Sequence, residues 1–155
     1  MKVQTTRFGE LEVTKDKMFT FPEGLLGFDW LREFSFVPVE DNPAFRWLQS
    51  LEEPDVAFLL CDPFMFFSDY EVKLDDKVSS ELEIAKKEDV LVKVIATVPK
   101  TGIKNMTVNL VGPVVFNVKK RFGKQIVLQN SEYGTRHKVF TNTGDKGKID
   151  AAQGG

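Results

Sequence analysis

Alternation of apolar and polar residues is the main pattern of this chain. From Val90 to Val98 every even-numbered residue is apolar, and a period of two is typical of a β-strand. A second alternating stretch, residues 114–129, predicts a β-hairpin that closes near Gly123. Shorter β-like segments, separated by Gly, Pro, Asn and Asp, lie at residues 2–7, 10–14, 17–21, 34–39, 45–50, 56–61 and 135–140.

One segment favours a helix. Around residues 75–86, Asp75 or Asp76 can accept hydrogen bonds from the free amides of a first helical turn. Val78, Leu82 and Ala85 then share one face of the helix. Many short strands with one short helix predict a mainly β fold, a small antiparallel β-barrel-like single domain with a helix around 75–86.

The last residues differ in composition from the rest. Residues 141–155 are rich in Thr, Asn, Gly, Lys and Asp and have almost no apolar content. Such a segment cannot bury enough apolar surface to fold, so a disordered polar tail is expected. The expected domain therefore covers residues 1–140.

Composition places the chain among soluble globular proteins. Of its 155 residues, 42% are hydrophobic and 28% charged, and no apolar run approaches the roughly 18 residues of a membrane span. The N-terminus turns polar at once, unlike a signal peptide. A single cysteine, Cys61, fits a reducing compartment. We therefore expect a cytoplasmic protein.

The net charge of −2 conceals an uneven distribution. Residues 1–90 carry 20 acidic and 10 basic side chains, and residues 91–155 carry 3 acidic and 11 basic ones. An acidic and a basic part can attract different partners if the fold keeps them on different faces, whereas a fold that mixes them leaves no dipole.

Catalytic and metal-binding patterns are missing from the sequence. The one histidine, His137, and the one cysteine, Cys61, are far apart, and no spacing of His, Cys or acidic residues suits a metal. Cys61 lies within an apolar run and is interpreted as a small buried hydrophobic residue rather than a nucleophile. We predict no enzyme activity, no metal and no cofactor.

The basic segment 119–125, which includes Lys120 and Arg121, suggests an alternative function. Cations beside an aromatic residue on a hairpin resemble the nucleic-acid surface of barrels of the OB type. The pI of about 5.5 argues against it, because nucleic-acid-binding domains tend to be strongly basic.

Two aromatic clusters are candidates for exposed binding surface. Residues 63–67 read Pro-Phe-Met-Phe-Phe, and residues 28–31 read Phe-Asp-Trp-Leu. Bulky apolar side chains that remain exposed dominate the binding energy of many protein interfaces. Burial in the barrel core is the alternative for each single residue.

Taken in order, several segments resemble the FliW family of bacterial flagellar assembly factors. They are Phe21-Pro22-Glu23-Gly24-Leu25-Leu26-Gly27-Phe28 and the stretches 43–51, 53–58, 62–64, 107–115, 120–125 and 133–136, with Tyr70. The resemblance covers roughly residues 1–140, and Gly112 departs from it where family members often carry Ala.

The resemblance implies a non-catalytic binding protein. FliW-like proteins antagonise CsrA, a dimeric RNA-binding translational repressor, by an allosteric route. They alternatively bind newly made flagellin through its terminal helical segment. The pair of contacts couples flagellin translation to flagellar assembly. We expect a monomer when free, with no membrane and no direct nucleic-acid contact.

The residues that we nominate for these contacts fall into an acidic and an apolar group. Acidic side chains would face basic CsrA and steer its approach, and they are Glu52, Glu53, Asp55, Asp69, Glu71, Asp75 and Asp76. An apolar groove for the flagellin helix would use Phe45, Trp47, Leu48, Phe64 and Phe66. Gln49, Lys120 and Arg121 complete the candidate partner-binding set.

Overall fold

The computed structural model describes residues 1–129 and 132–140. Among them are eleven strands and one α-helix, which confirms the mainly β prediction. The strands are β1 Lys2–Thr5, β2 Gly9–Glu12, β3 Met18–Thr20, β4 Glu33–Pro38, β5 Phe45–Ser50, β6 Ala57–Cys61, β7 Val90–Thr97, β8 Thr107–Val108, β9 Val114–Asn117, β10 Phe122–Gln125 and β11 His137–Lys138, and the helix is α1 Asp76–Glu81. The predicted tail, residues 141–155, lies outside the described residues.

Seven strands close into a barrel. Its order is β7-β6-β5-β4-β3-β10-β9, and β9 pairs back onto β7. Neighbours are antiparallel except β10 and β3, which run parallel at a single pair of residues. Strands β8 and β11 extend the sheet beyond β7, and β1 with β2 forms a separate hairpin.

Two hydrophobic clusters lie on opposite faces of the barrel wall. The inward face packs an interior cluster of Phe19, Phe21, Leu25, Leu31, Phe34, Leu48, Leu60, Val114 and Phe116. The other face, covered by β8 and β11, packs a second cluster that includes Phe45, Cys61, Tyr70, Val94 and Val108. Strands β5, β6 and β7 are therefore covered on both faces over part of their length.

Helix α1 is shorter than predicted. Asp75 caps it as expected, since its side chain accepts from the Val78 amide at 2.9 Å. The helix stops at Glu81 because Glu83 takes a left-handed backbone conformation, with φ 55°. The Asn117 side-chain amide donates to the carbonyls of Leu82 and Glu83 and holds this end against β9.

The predicted hairpin exists, but its turn is not at Gly123. Gly123 pairs with Phe116 inside the ladder of β9 and β10, and the turn is made by residues 118–121, with Arg121 at φ 68°. Gly123 faces the barrel interior, where the ring of Phe21 fills the space that a side chain would take. A Cβ at Gly123 would lie only 2.4 Å from Phe21 Cζ.

Substitution of Gly123 by alanine should destabilise the barrel. We expect Gly123→Ala to lower the free energy of unfolding by about 1–3 kcal/mol because the ring of Phe21 must move. Gly134→Ala is the matched control, since its Cβ would meet no atom closer than 3.8 Å. Urea denaturation of both variants measures the difference. Equal stabilities would contradict the close packing of Phe21 on Gly123.

Candidate partner-binding surfaces

A short 3-10 turn after β6 presents part of the apolar surface predicted at residues 63–67. Asp62 starts the turn by accepting from the Phe64 amide at 3.0 Å, and Pro63 occupies its first position. The amides of Phe66 and Phe67 both donate to the Pro63 carbonyl. Phe64 and Met65 are left on the outside, with 47% and 58% of their surface exposed.

The five apolar candidates do not form one groove. Leu48 is fully buried in the barrel interior, and Phe45 is buried in the second cluster. Phe66 is half-buried between Phe45 and Phe140, with ring centroids 5.9 and 6.0 Å away. Of the five side chains, only Phe64 is exposed. The three on β5 are covered, because both faces of this strand are packed over part of its length.

Trp47 and Gln49 have structural contacts. Trp47 is half-buried beneath Phe8 and the Arg7 guanidinium, which lies 4.3 Å from its ring centroid. The Gln49 side chain is fully buried and donates to carbonyls of the turn that joins β5 to β6, at Ser50, Pro54 and Val56. Gln49 therefore holds a turn and presents no surface.

The acidic candidates fall into two groups at opposite ends of β6. Glu52, Glu53 and Asp55 lie in the turn before β6, and the segment 69–76 follows its far end. Five residues of strand, about 17 Å, separate the ends. In the first group, Glu52 accepts from the amides of Arg32 and Glu33, and Asp55 accepts from the Thr6 hydroxyl.

The second acidic group lies beside the 3-10 turn. Asp69 and Glu71 are exposed and flank Tyr70, whose ring centroid lies 5.8 Å from that of Phe64. Asp75 is used as the cap of α1. Exposed apolar side chains bordered by charged ones have the composition of a protein-interaction surface.

The basic turn is largely neutralised by acidic neighbours. Lys124 bonds Glu23 at 2.7 Å and lies 3.4 Å from Glu81, and Lys120 pairs with Glu83 at 3.8 Å. Arg121 donates to the Asp16 carbonyl. These pairs reduce the positive field that nucleic acid would require.

Cys61 and His137 do not form a catalytic pair. Burial raises the pKa of the Cys61 thiol to about 12, so the thiol is a poor nucleophile at neutral pH. His137 Nε2 accepts from the Gly134 amide at 2.8 Å. Across the described ranges, no group of three or more His, Cys, Asp or Glu side chains is arranged to hold a metal ion.

A second exposed apolar pair lies in the 24–31 loop. Leu26 and Trp30 are each 60% exposed, whereas Leu31 is buried in the barrel interior. Among the three apolar residues of the 28–31 cluster, Phe28 is half-buried, Leu31 is buried and Trp30 is exposed. The Trp30 ring packs against Phe28 at 5.6 Å.

Within residues 1–129 and 132–140, no helix is both long and apolar enough to cross a membrane.

Comparison with known proteins gives one consistent result. The family model described as "FliW protein" matches residues 2–139. A flagellar assembly factor FliW of Moorella thermoacetica is 45% identical over 140 residues, covering 90% of this chain and 89% of its own. One from Desulfitobacterium hafniense strain DCB-2 is 42% identical, covering 99% and 100%. A crystal structure of the flagellar assembly factor FliW superposes with a TM-score of 0.85 at 36% identity, covering 92% and 99%.

Charge substitutions should distinguish the exposed phenylalanine from a buried one. We expect Phe64→Glu to change the free energy of unfolding by less than about 1 kcal/mol, because its carboxylate remains in water. Phe45→Glu, the matched control at a buried phenylalanine, should cost more than about 4 kcal/mol by burying an unpaired charge. Thermal denaturation measures both. Unfolding of Phe64→Glu would mean that Phe64 is a core residue.

Proposed function

The chain belongs to the FliW family of flagellar assembly factors, and on that premise we propose that it binds the translational repressor CsrA and, alternatively, flagellin. It would antagonise CsrA allosterically and release it when flagellin binds. The family is regulatory and not enzymatic. The observation that carries the proposal is the family match along residues 2–139, which includes the complete barrel and the exposed 3-10 turn.

The surface that fits these partners best is the 3-10 turn with its acidic neighbours. Phe64 and Met65 supply apolar area that a helix from flagellin's terminal segment could cover. Asp69 and Glu71 supply negative charge for basic CsrA. The two sets adjoin along the chain, so both partners would compete for one region. Such competition would explain why CsrA and flagellin bind alternatively, and it requires no conformational change in this protein.

Four further properties belong to the same proposal. The binding unit is residues 1–140, the protein is a monomer when free, it acts in the cytoplasm, and it needs no nucleic acid, metal or cofactor. Residues 141–155, which are polar in composition, would not belong to this unit.

Calorimetric titration with purified CsrA tests the proposal directly. We expect stoichiometric binding, followed by release of CsrA when flagellin is added to the preformed complex. Phe64→Glu should weaken flagellin binding at least tenfold, because it places a charge in an apolar contact. Glu53→Gln, at the far end of β6, should bind as the unsubstituted protein does. An absence of heat with both proteins would reject the proposal.

If acidic side chains steer CsrA, the affinity for CsrA should depend on salt concentration. CsrA binding should weaken as salt rises from 50 to 500 mM, because exposed charges are screened beyond about 8 Å at physiological ionic strength. The double variant Asp69→Asn and Glu71→Gln should flatten this dependence, whereas Glu53→Gln should leave it unchanged. Binding that is independent of salt would rule out electrostatic steering.

A further inference from the structure

One side of strand β7 is only partly paired by the residues that the structure describes. The carbonyls of Asp89 and Ile95 accept from Val118 and Asn109, so odd-numbered residues of β7 direct their backbone groups toward β9 and β8. Backbone groups alternate along a strand, and the even-numbered residues therefore face the β6 side. On that side β6 pairs only with Val94–Ala96.

Pro63 ends the pairing on the β6 side. The register in which Cys61 faces Val94 would place residue 63 opposite Val92. Pro63 has no N–H to donate, and its carbonyl accepts from Phe66 and Phe67 instead. In the described part of the chain, the Val92 N–H and C=O have no partner on this side. The Val90 N–H donates to the Lys87 carbonyl, whereas the Val90 carbonyl has no backbone partner among the described residues.

An apolar groove of about 620 Å³ runs along this edge. One wall consists of Phe64, Val72 and Leu74 from the segment after β6, and Ile84 closes it beyond α1. Val90 and Val92 are half-buried on its floor. The groove therefore offers apolar contacts beside unused backbone donors and acceptors.

The groove also carries positive charge. Lys87 and Lys93 line it together with Asp62. Lys93 is only 5% exposed and forms no ion pair among the described residues. Burial lowers the pKa of Lys93, and attraction to Asp62 offsets only part of that effect. Burying a cation without a close counter-charge lowers the stability of the fold. A carboxylate from a ligand would offset this loss by pairing with the cation.

We propose that this groove binds an extended segment of a protein partner, which adds a short strand beside Val90 and Val92 and brings an acidic side chain toward Lys87 and Lys93. A helix cannot use the open edge, because its own backbone groups are already bonded internally. An extended chain can use it, and addition of a strand to an exposed edge is a known mode of peptide recognition. This inference goes beyond the proposed function and does not depend on CsrA or flagellin being the partner.

Hydrogen exchange tests the open edge on the full chain. By NMR, the Val92 amide should exchange at least 100-fold faster than the Leu91 and Lys93 amides, which pair with β9. A protected Val92 amide in the free protein would overturn the proposal. A chain ending at residue 140 would then reveal whether residues 141–155 cover the edge themselves.

Peptide probes test the occupant. The probe is acetyl-Val-Glu-Val-Glu-Val-amide, with two N-methylated versions, one blocked at the valine amides and one at the glutamate amides. Since only one edge of the peptide can pair with β7, one version should lose at least tenfold in affinity and the other should not. If both N-methylated peptides lose affinity equally, strand addition is ruled out. If a peptide with Gln in place of Glu binds as tightly as the probe, an acidic occupant is ruled out.

Two proline variants locate the contact. Val92→Pro should remain folded, because proline is tolerated where a strand N–H has no partner, and it should abolish peptide binding. Leu91→Pro should unfold the barrel, because it removes a bond to β9. If Val92→Pro also fails to fold, protection of the Val92 amide on adding the peptide decides the question. Binding that leaves this amide unprotected would reject the assignment.

Discussion

The pairing of β7 with β9 is the contact on which the rest of the structure depends. It turns a sheet of seven strands into a closed barrel, and closure pairs most of the strand edges that otherwise promote association between chains. Strand β7 is the longest, at eight residues. Its first half pairs with β9 and its second half with β8, both on the same side. The other side depends on β6, which is only five residues long.

The end of β6 therefore fixes two surfaces at once. Pro63 cannot continue the ladder, so the chain leaves the sheet in a 3-10 turn that Asp62 caps. The turn carries Phe64 and Met65 outward, and the same departure uncovers Val92. One proline thus produces both the exposed apolar side chains and the open edge beside them. A ligand on either surface would lie next to a ligand on the other.

Much of the barrel could be predicted from the sequence, because alternation marks strands irrespective of their partners. The helix cap at Asp75 could also be predicted, because an aspartate directly before a helical pattern of apolar residues is typical of an N-cap. The turn position was wrong because Gly123 indicates a turn locally, whereas here it makes room for Phe21, 102 residues earlier. The residue with the turn conformation is Arg121, which no local rule favours. Strands β8 and β11, with two residues each, are too short for a period to show.

The candidate site was harder to predict, for a related reason. Alternation shows which residues share a face but does not show that both faces of β5 are covered. The predicted place of Leu48 in a surface groove is therefore wrong, because Leu48 is a core residue. The open edge at Val92 depends on where β6 ends relative to β7, and register between distant strands is not visible in either segment alone.

Charge shows the same dependence on tertiary contacts. The acidic first part and the basic second part of the chain do not form two faces throughout, because Lys124 lies between Glu23 and Glu81 and Lys120 pairs with Glu83. These pairs neutralise the basic turn on β9 and β10. Acidic side chains near the 3-10 turn, Asp69 and Glu71, form no such ion pair among the described residues. The sequence asymmetry therefore survives at the surface beside the exposed phenylalanine, where an unneutralised charge can act on a partner.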